Sequence, residues 1–188
     1  TKEGCAEGDC GACTIVVGEA VNERMRYQAV NSCLAMLGQV AGTHVLTVEG
    51  ISGGEGVPHP VQQALVETDG SQCGFCTPGF VMSMFAFFHS GEAAVDETIH
   101  DMLAGNLCRC TGYRPIVDAV KRASRDTGDQ FDANESELLV DLDALPKSAS
   151  ECFEYAAQTF YTPRTLGECL ALREDYPGAY ILAGGTDL

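Results

Sequence analysis

Residues 1–13 read TKEGCAEGDCGAC, and this stretch decides how the first part of the chain folds. Cys5, Cys10 and Cys13 stand in C-x4-C-x2-C spacing with Cys33 downstream, the ligand pattern of a plant-type [2Fe-2S] cluster. Three ligands so close together need a backbone that wraps tightly. Gly4, Ala6, Gly8, Gly11 and Ala12 leave room for that wrap and let backbone N–H groups point at the sulfurs, offsetting the negative charge of a bound cluster. Strand-like runs at residues 13–17, 27–30 and 44–48, with Gly and Asn between them, predict a small α+β unit that carries Cys33 back to the loop.

Two further stretches, SQCGFCTPGF at 71–80 and GNLCRCTGYRP at 105–115, hold a second set of four cysteines. Cys73 and Cys76 form C-x2-C; Cys108 and Cys110 form C-x-C. Residues i and i+2 of an extended segment face the same side, which predicts that Cys108 and Cys110 grip one iron while Cys73 and Cys76 grip the other. Apolar spacing around them becomes helical over 61–66, 80–88, 98–103 and 116–123, predicting four helices. Thr77 with Pro78, and Thr111 to Pro115, read as helix starts with Pro in the first turn. The positive ends of those helices would stabilise a negative cluster by about 0.3 to 1 kcal/mol each if exposed.

Disulfides and zinc are the competing readings of so many cysteines. A disulfide framework belongs to small secreted proteins and does not explain long apolar helices beside a Gly-lined cysteine loop. Cys73, Cys76, Cys108 and Cys110 taken alone leave a four-thiolate zinc site open, although C-x-C is not the usual knuckle spacing. A Rieske centre is excluded, since none of His44, His59, His89 and His100 is placed to replace two cysteines, and these scattered histidines read as structural. Cys152 and Cys169 lack a partner motif and read as buried or free thiols. Arg109 and Arg114 sit beside the ligands of the second set, where they raise its potential, touch the partner or pair at the surface. Phe80 to Phe88 follow helical spacing and read as core.

Of the 188 residues, 27 are acidic and 11 basic, a formal charge of −16 that repels phosphate backbones and anionic membranes. Nucleic acid and membrane are therefore excluded as partners, and no apolar run nears the roughly 20 residues of a spanning helix. A first residue Thr1 just before a cysteine motif, and an abrupt stop at Leu188, suggest a piece of a longer chain. Residues 126–150 carry seven acidic residues against one lysine and read as a solvated linker, with 138–145 as a short ordered piece. Thr165 to Glu174 reads as a helix, and Ala179 to Ala183 as a buried strand entering Gly184, Gly185 and Thr186. A strand running into Gly-Gly-Thr can offer bare N–H groups to a pyrophosphate; it is also a common turn.

The three cysteine stretches, covering roughly residues 1–124, resemble the iron-sulfur domains of the molybdenum hydroxylase family, of which xanthine dehydrogenase is the best-known member. The resemblance implies an α+β architecture in four parts: a truncated plant-type ferredoxin β-grasp domain at 1–55, a four-helix [2Fe-2S] domain at 56–125, a linker at 126–157, and the start of an α+β FAD-binding domain at 158–188. It implies two [2Fe-2S] clusters, a pterin contact at Gln72, and an FAD pyrophosphate contact at Gly184, Gly185 and Thr186. The order of parts resembles the iron-sulfur/FAD small subunit of bacterial xanthine dehydrogenases, with molybdopterin on a large partner subunit of a cytoplasmic hetero-oligomer. Electrons would leave a purine at molybdenum and pass through both clusters and FAD to NAD; an aldehyde or another N-heterocycle is the alternative substrate. A standalone electron carrier would need no FAD segment, and a zinc-stabilised interaction module would have no redox role. No catalytic residue is expected in this piece, and it should not turn over substrate by itself.

Overall fold

A computed structural model describes residues 1–145 and 151–186. Strands β1 (Thr14–Val21), β2 (Arg24–Asn31) and β3 (His44–Leu46) form an antiparallel sheet in the order β2-β1-β3. The β1–β2 register runs from Thr14 opposite Asn31 to Val21 opposite Arg24. Asn22 and Glu23 make the two-residue turn with φ of 52° and 62°, the doubly left-handed geometry that suits the twist of a hairpin. β2 delivers Ser32, whose N–H and hydroxyl both donate to the Cys13 carbonyl, so Cys33 ends beside the first loop as its position after a strand predicts.

Four helices follow: α1 (Pro60–Glu67), α2 (Thr77–Phe88), α3 (Asp96–Leu103) and α4 (Arg114–Ala123). They match the four expected from apolar spacing, and Pro stands in the first turn of α1, α2 and α4, where its missing N–H costs nothing. In α2 every residue from Gly79 to Phe87 is buried, so this helix is apolar all round and forms the centre of the molecule. α4 instead buries one stripe, Ile116, Ala119, Val120 and Ala123, against Val61, Ala64 and Leu65 of α1. Val16, Tyr27 and Leu46 of the sheet share a continuous hydrophobic core with Phe80, Phe85, Ile99 and Ile116. The sheet and the helices are therefore packed as one body.

The acidic stretch after residue 126 departs from the solvated linker expected of its composition, and the short ordered piece expected at 138–145 falls largely within a longer helix. The stretch forms α5 (Gln130–Ala133) and α6 (Glu135–Ala144), which strap across both units. Phe131 is buried against Phe85, edge to face with centroids 5.0 Å apart. Asp129 caps α5 by accepting from the N–H groups of Phe131 and Asp132, and its other oxygen takes the Nε2 of both His59 and His89. Farther along, Glu135 accepts from the Met25 amide at 2.9 Å and from Arg24, tying the strap to β2. Composition averages over the few side chains that make these contacts, and so misjudges the segment.

Beyond it, β4 (Glu151–Tyr155) and β5 (Gln158–Thr162) form a hairpin absent from the sequence expectations. Phe160 and Phe153 of that hairpin sit over Gly38, where a Cβ would collide with the Phe160 ring. α7 (Leu166–Asp175) starts at a capping box made by Thr165 and Glu168, in agreement with the expected helix. The strand expected at Ala179 to Ala183 is not formed: the segment is irregular, and Tyr180 and Ile181 are exposed. Apolar residues alone do not make a strand, and no strand among the described residues pairs with it. Residues 146–150 of the expected linker, and 187–188, lie outside the described residues.

Burial alone would raise the Asp129 carboxyl, but the hydrogen bonds from His59 and His89 outweigh it and hold the group well below the usual carboxylate range. A depressed acid contributes stability that is complete above its ordinary value of 3.8 and is lost as pH falls below it. Urea unfolding should accordingly show stability falling from pH 5 to 3, with a shallower fall in Asp129→Ala. That variant should cost about 2 to 5 kcal/mol at neutral pH, because the Nε2–H groups of two buried histidines lose their common acceptor and α5 loses its cap.

Candidate metal centres

The first loop reaches its tight wrap through positive φ at Ala6, Gly8 and Gly11 (58°, 84° and 68°). Asn31 holds it from β2 by donating to the Gly8 carbonyl at 2.6 Å. Cys5, Cys10, Cys13 and Cys33 are gathered there, with Cys5 touching Cys10 and Cys13 touching Cys33. The N–H groups of Glu7 and Cys10 aim at the Cys5 sulfur and bring that thiol down to about 7. Burial, followed by the neighbouring Cys13 thiol, pushes Cys33 up to about 11. Amides pointed at sulfur, and thiols crowded enough to oppose one another's ionisation, are what a cationic metal relieves.

At the second set Cys76 is the N-cap of α2, so the positive end of the most buried helix begins at a cysteine. Thr111 donates from its N–H to the Cys108 sulfur at 3.5 Å, and its hydroxyl lies 3.2 Å from the same atom. The Tyr113 amide donates to that hydroxyl oxygen, which leaves the hydroxyl hydrogen for sulfur. These donors outweigh burial and lower Cys108, whereas burial and then Cys108 push Cys76 up to about 12. Cys73 is lowered by the Phe75 amide and by Cys110, and Cys110 is raised in turn by Cys73. Thus Cys73 meets Cys110 and Cys76 meets Cys108. The pairing expected from sequence, each loop keeping its own two cysteines together, is replaced by pairing across the loops, because the loops face each other.

The spacing of the thiols bears on the choice between a cluster and zinc. Four thiolates at about 2.3 Å from one zinc ion stand about 3.8 Å apart in every pair. Among the described residues no three cysteine sulfurs lie within 4.8 Å of one another, and all ten cysteines are free thiols. Contacts two by two fit a binuclear centre with two thiolates on each iron.

Only His59, His89 and Asp129 among the described residues approach a mononuclear site by distance. His59 Nδ1 already accepts the Val61 N–H, so a neutral ring carries its proton on Nε2 and donates it to Asp129. His59 therefore has no lone pair to offer a cation, and the trio is a hydrogen-bonded buttress, in keeping with the structural role expected of the histidines.

The remaining predicted residues lie apart from the thiols or at their rim. Gln72 is exposed beside Cys73, which is itself exposed, as is Cys110. Arg109 and Arg114 are exposed. Gly184 and Thr186 are open to solvent, while Gly185, with φ of 77°, comes near the carbonyl of Leu34, the neighbour of Cys33. Cys152 and Cys169 join neither set; Cys152 is exposed and Cys169 half-buried. Sequence reasoning passed over Asn106, whose amide lies buried between the two cysteine loops.

A profile of the [2Fe-2S] binding domain family matches residues 47–121, a span that contains the second cysteine set. Xanthine dehydrogenase of Oryza sativa subsp. japonica is 53% identical over 128 residues, 66% of this chain and 9% of that one. Xanthine dehydrogenase of Drosophila pseudoobscura pseudoobscura is 36% identical across 100% of this chain, which spans 17% of that protein's length. Among solved structures, quinoline 2-oxidoreductase from Pseudomonas putida 86 aligns with a TM-score of 0.57 at 34% identity, covering 66% of this chain and 73% of that one. Aldehyde oxidoreductase from Desulfovibrio gigas aligns with a TM-score of 0.55 at 34% identity, over 75% of this chain and 14% of that one. No helix among the described residues is long and apolar enough to cross a membrane.

Thr111→Val keeps the backbone donor to Cys108 and removes the hydroxyl one. An EPR-monitored redox titration should find the potential of a cluster bound at the second set more negative by on the order of 40 mV, the equivalent of a hydrogen bond of about 1 kcal/mol, with the first unchanged.

Proposed function

This chain belongs to the xanthine dehydrogenase family of molybdenum hydroxylases, and on that premise we propose that it is the electron-transfer part of such an oxidoreductase, holding two [2Fe-2S] clusters between a molybdopterin site and FAD. The observation that carries the proposal is the gathering of each four-cysteine set in loops whose donors aim at sulfur, the Cys10 N–H at Cys5 and the Thr111 N–H and hydroxyl at Cys108. A bound cluster of this type supplies a one-electron couple, near about −400 mV for plant-type ligation. Cys5, Cys10, Cys13 and Cys33 hold the first. Cys73 with Cys110, and Cys76 with Cys108, hold the two irons of the second. The chain's own task is to ligate the clusters, space them, and tune them through the amides of Glu7, Cys10, Phe75 and Thr111.

Exposed Cys73 and Cys110, with Gln72 beside them, support a second set that faces the molybdopterin-bearing part, whether a separate large subunit or another region of a longer chain. Proximity of Gly185 to Leu34 supports a flavin on the side of the first set, its pyrophosphate held by Gly184, Gly185 and Thr186. A purine is the substrate in this reading and NAD the final acceptor, in a cytoplasmic enzyme. Aldehyde or N-heterocycle oxidation is the second reading, favoured by the likeness to quinoline 2-oxidoreductase and to aldehyde oxidoreductase. The substrate pocket belongs to the molybdopterin-bearing part.

Anaerobically prepared protein should contain about four irons and four acid-labile sulfides per chain and give two S = 1/2 EPR signals after dithionite reduction. Cys10→Ala should abolish one signal and Cys110→Ala the other. Zinc in place of iron in protein never exposed to air would defeat the proposal.

A further inference from the structure

The two cysteine loops touch backbone to backbone. The Leu107 N–H donates to the Cys10 carbonyl at 3.0 Å, so a ligand residue of one set is hydrogen-bonded to the neighbour of Cys108, a ligand residue of the other. This contact requires Gly11 and Gly79. A Cβ on Gly79 would run into the Gly11 carbonyl, and one on Gly11 would run into the Gly105 carbonyl and the Asn106 amide.

We propose that Asn106 is the positioning residue that holds the two loops in register. The assignment rests on reading both loops as cluster-binding. Asn106 is 3% exposed and its side chain is fully engaged by three parts of the fold. Its Nδ2 donates to the Gly11 carbonyl at 3.1 Å and to Thr14 Oγ1 at 3.3 Å, reaching the first loop and the start of β1. Its Oδ1 accepts from Ser83 Oγ of α2 at 2.6 Å. Both donors and the acceptor are spent inside the protein, so any rotation of the amide strands buried polar atoms. An aspartate of the same shape fails, since it would turn the donor facing the Gly11 carbonyl into an acceptor. Residue 106 precedes Leu107, and fixing its side chain therefore aims the Leu107 amide at Cys10. Neither ligand loop can shift without the other.

The test uses the full chain with all eight ligand cysteines intact, carrying Asn106→Ala, Asn106→Asp or Gly79→Ala. Gly79→Ala wedges the same contact open from the α2 side: its methyl runs into the Gly11 carbonyl and presses on the Asn106 amide, while residue 106 itself is unchanged. In each variant the Leu107 amide should exchange with solvent about tenfold faster, as expected for the loss of roughly one hydrogen bond, while amides of α1 and α4 exchange as before. Iron should remain in both sets. The spin–spin broadening between the two reduced signals should weaken, which a general loss of stability would not produce selectively. Unchanged Leu107 exchange overturns the assignment. So does equal acceleration in α1 and α4, or loss of helical structure in every variant, either of which makes Asn106 an ordinary core residue. Exchange is also read on metal-free chain. An unmodified protein without iron would then defeat the electron-transfer reading while Leu107 still decides the role of Asn106.

Discussion

Residue 79 has room for nothing larger than a hydrogen atom, because the carbonyl of Gly11 occupies the place where a methyl group would be. Most of the site follows from that contact. Gly79 lies in the first turn of α2, three residues after Cys76, and Gly11 lies between Cys10 and Cys13. The approach of these two glycines sets the wall of one cysteine set against the wall of the other. Backbone polar groups brought so close and buried need partners, and Asn106, Thr14 and Ser83 provide them from side chains. Close packing and polar satisfaction are here the same requirement, met by the same few residues.

The surrounding architecture protects this junction on both sides. Beneath it, Val16 of β1 and the wholly buried face of α2 share one core, so the sheet that returns Cys33 and the helix that starts at Cys76 are not free to drift apart. Over the far end, the strap from Asp129 to Glu135 reaches from His59 and His89 of the helical unit to Met25 and Arg24 of the sheet. Electrostatics contribute through local partners here; the net charge of −16 keeps the surface acidic without deciding any of these contacts.

Much of this was legible in the chain. Four helices could be read because apolar spacing and the prolines at 78 and 115 agree, and the three strands around the first loop because their apolar runs are bounded by Gly and Asn. Both cysteine sets were legible because ligand spacing is a covalent fact. What escaped depends on single side chains or on distant partners. Phe131 is one aromatic in an acidic stretch, and nothing local says that it reaches Phe85. The β4–β5 hairpin turns at Ala156 and Ala157, which lack the usual turn chemistry even though Ala156 has φ of 52°. The apolar residues 179–183 carried a strand signal that pairing does not fulfil. Cross-loop pairing of thiols, and the role of Asn106, exist only once two segments meet.

The bond from Asn106 to Gly11 spans 95 positions of sequence, and this bears on the order in which the molecule is made. A chain emerges from the ribosome with its N-terminus first, and local structure forms before distant partners arrive. The sheet hairpin can close early, but the loop at 1–13 has no floor until residue 107 has been synthesised and α2 has packed beneath it. The first four-cysteine loop therefore gains its last buried partners only once the second has been made, and the two loops reach their finished form together.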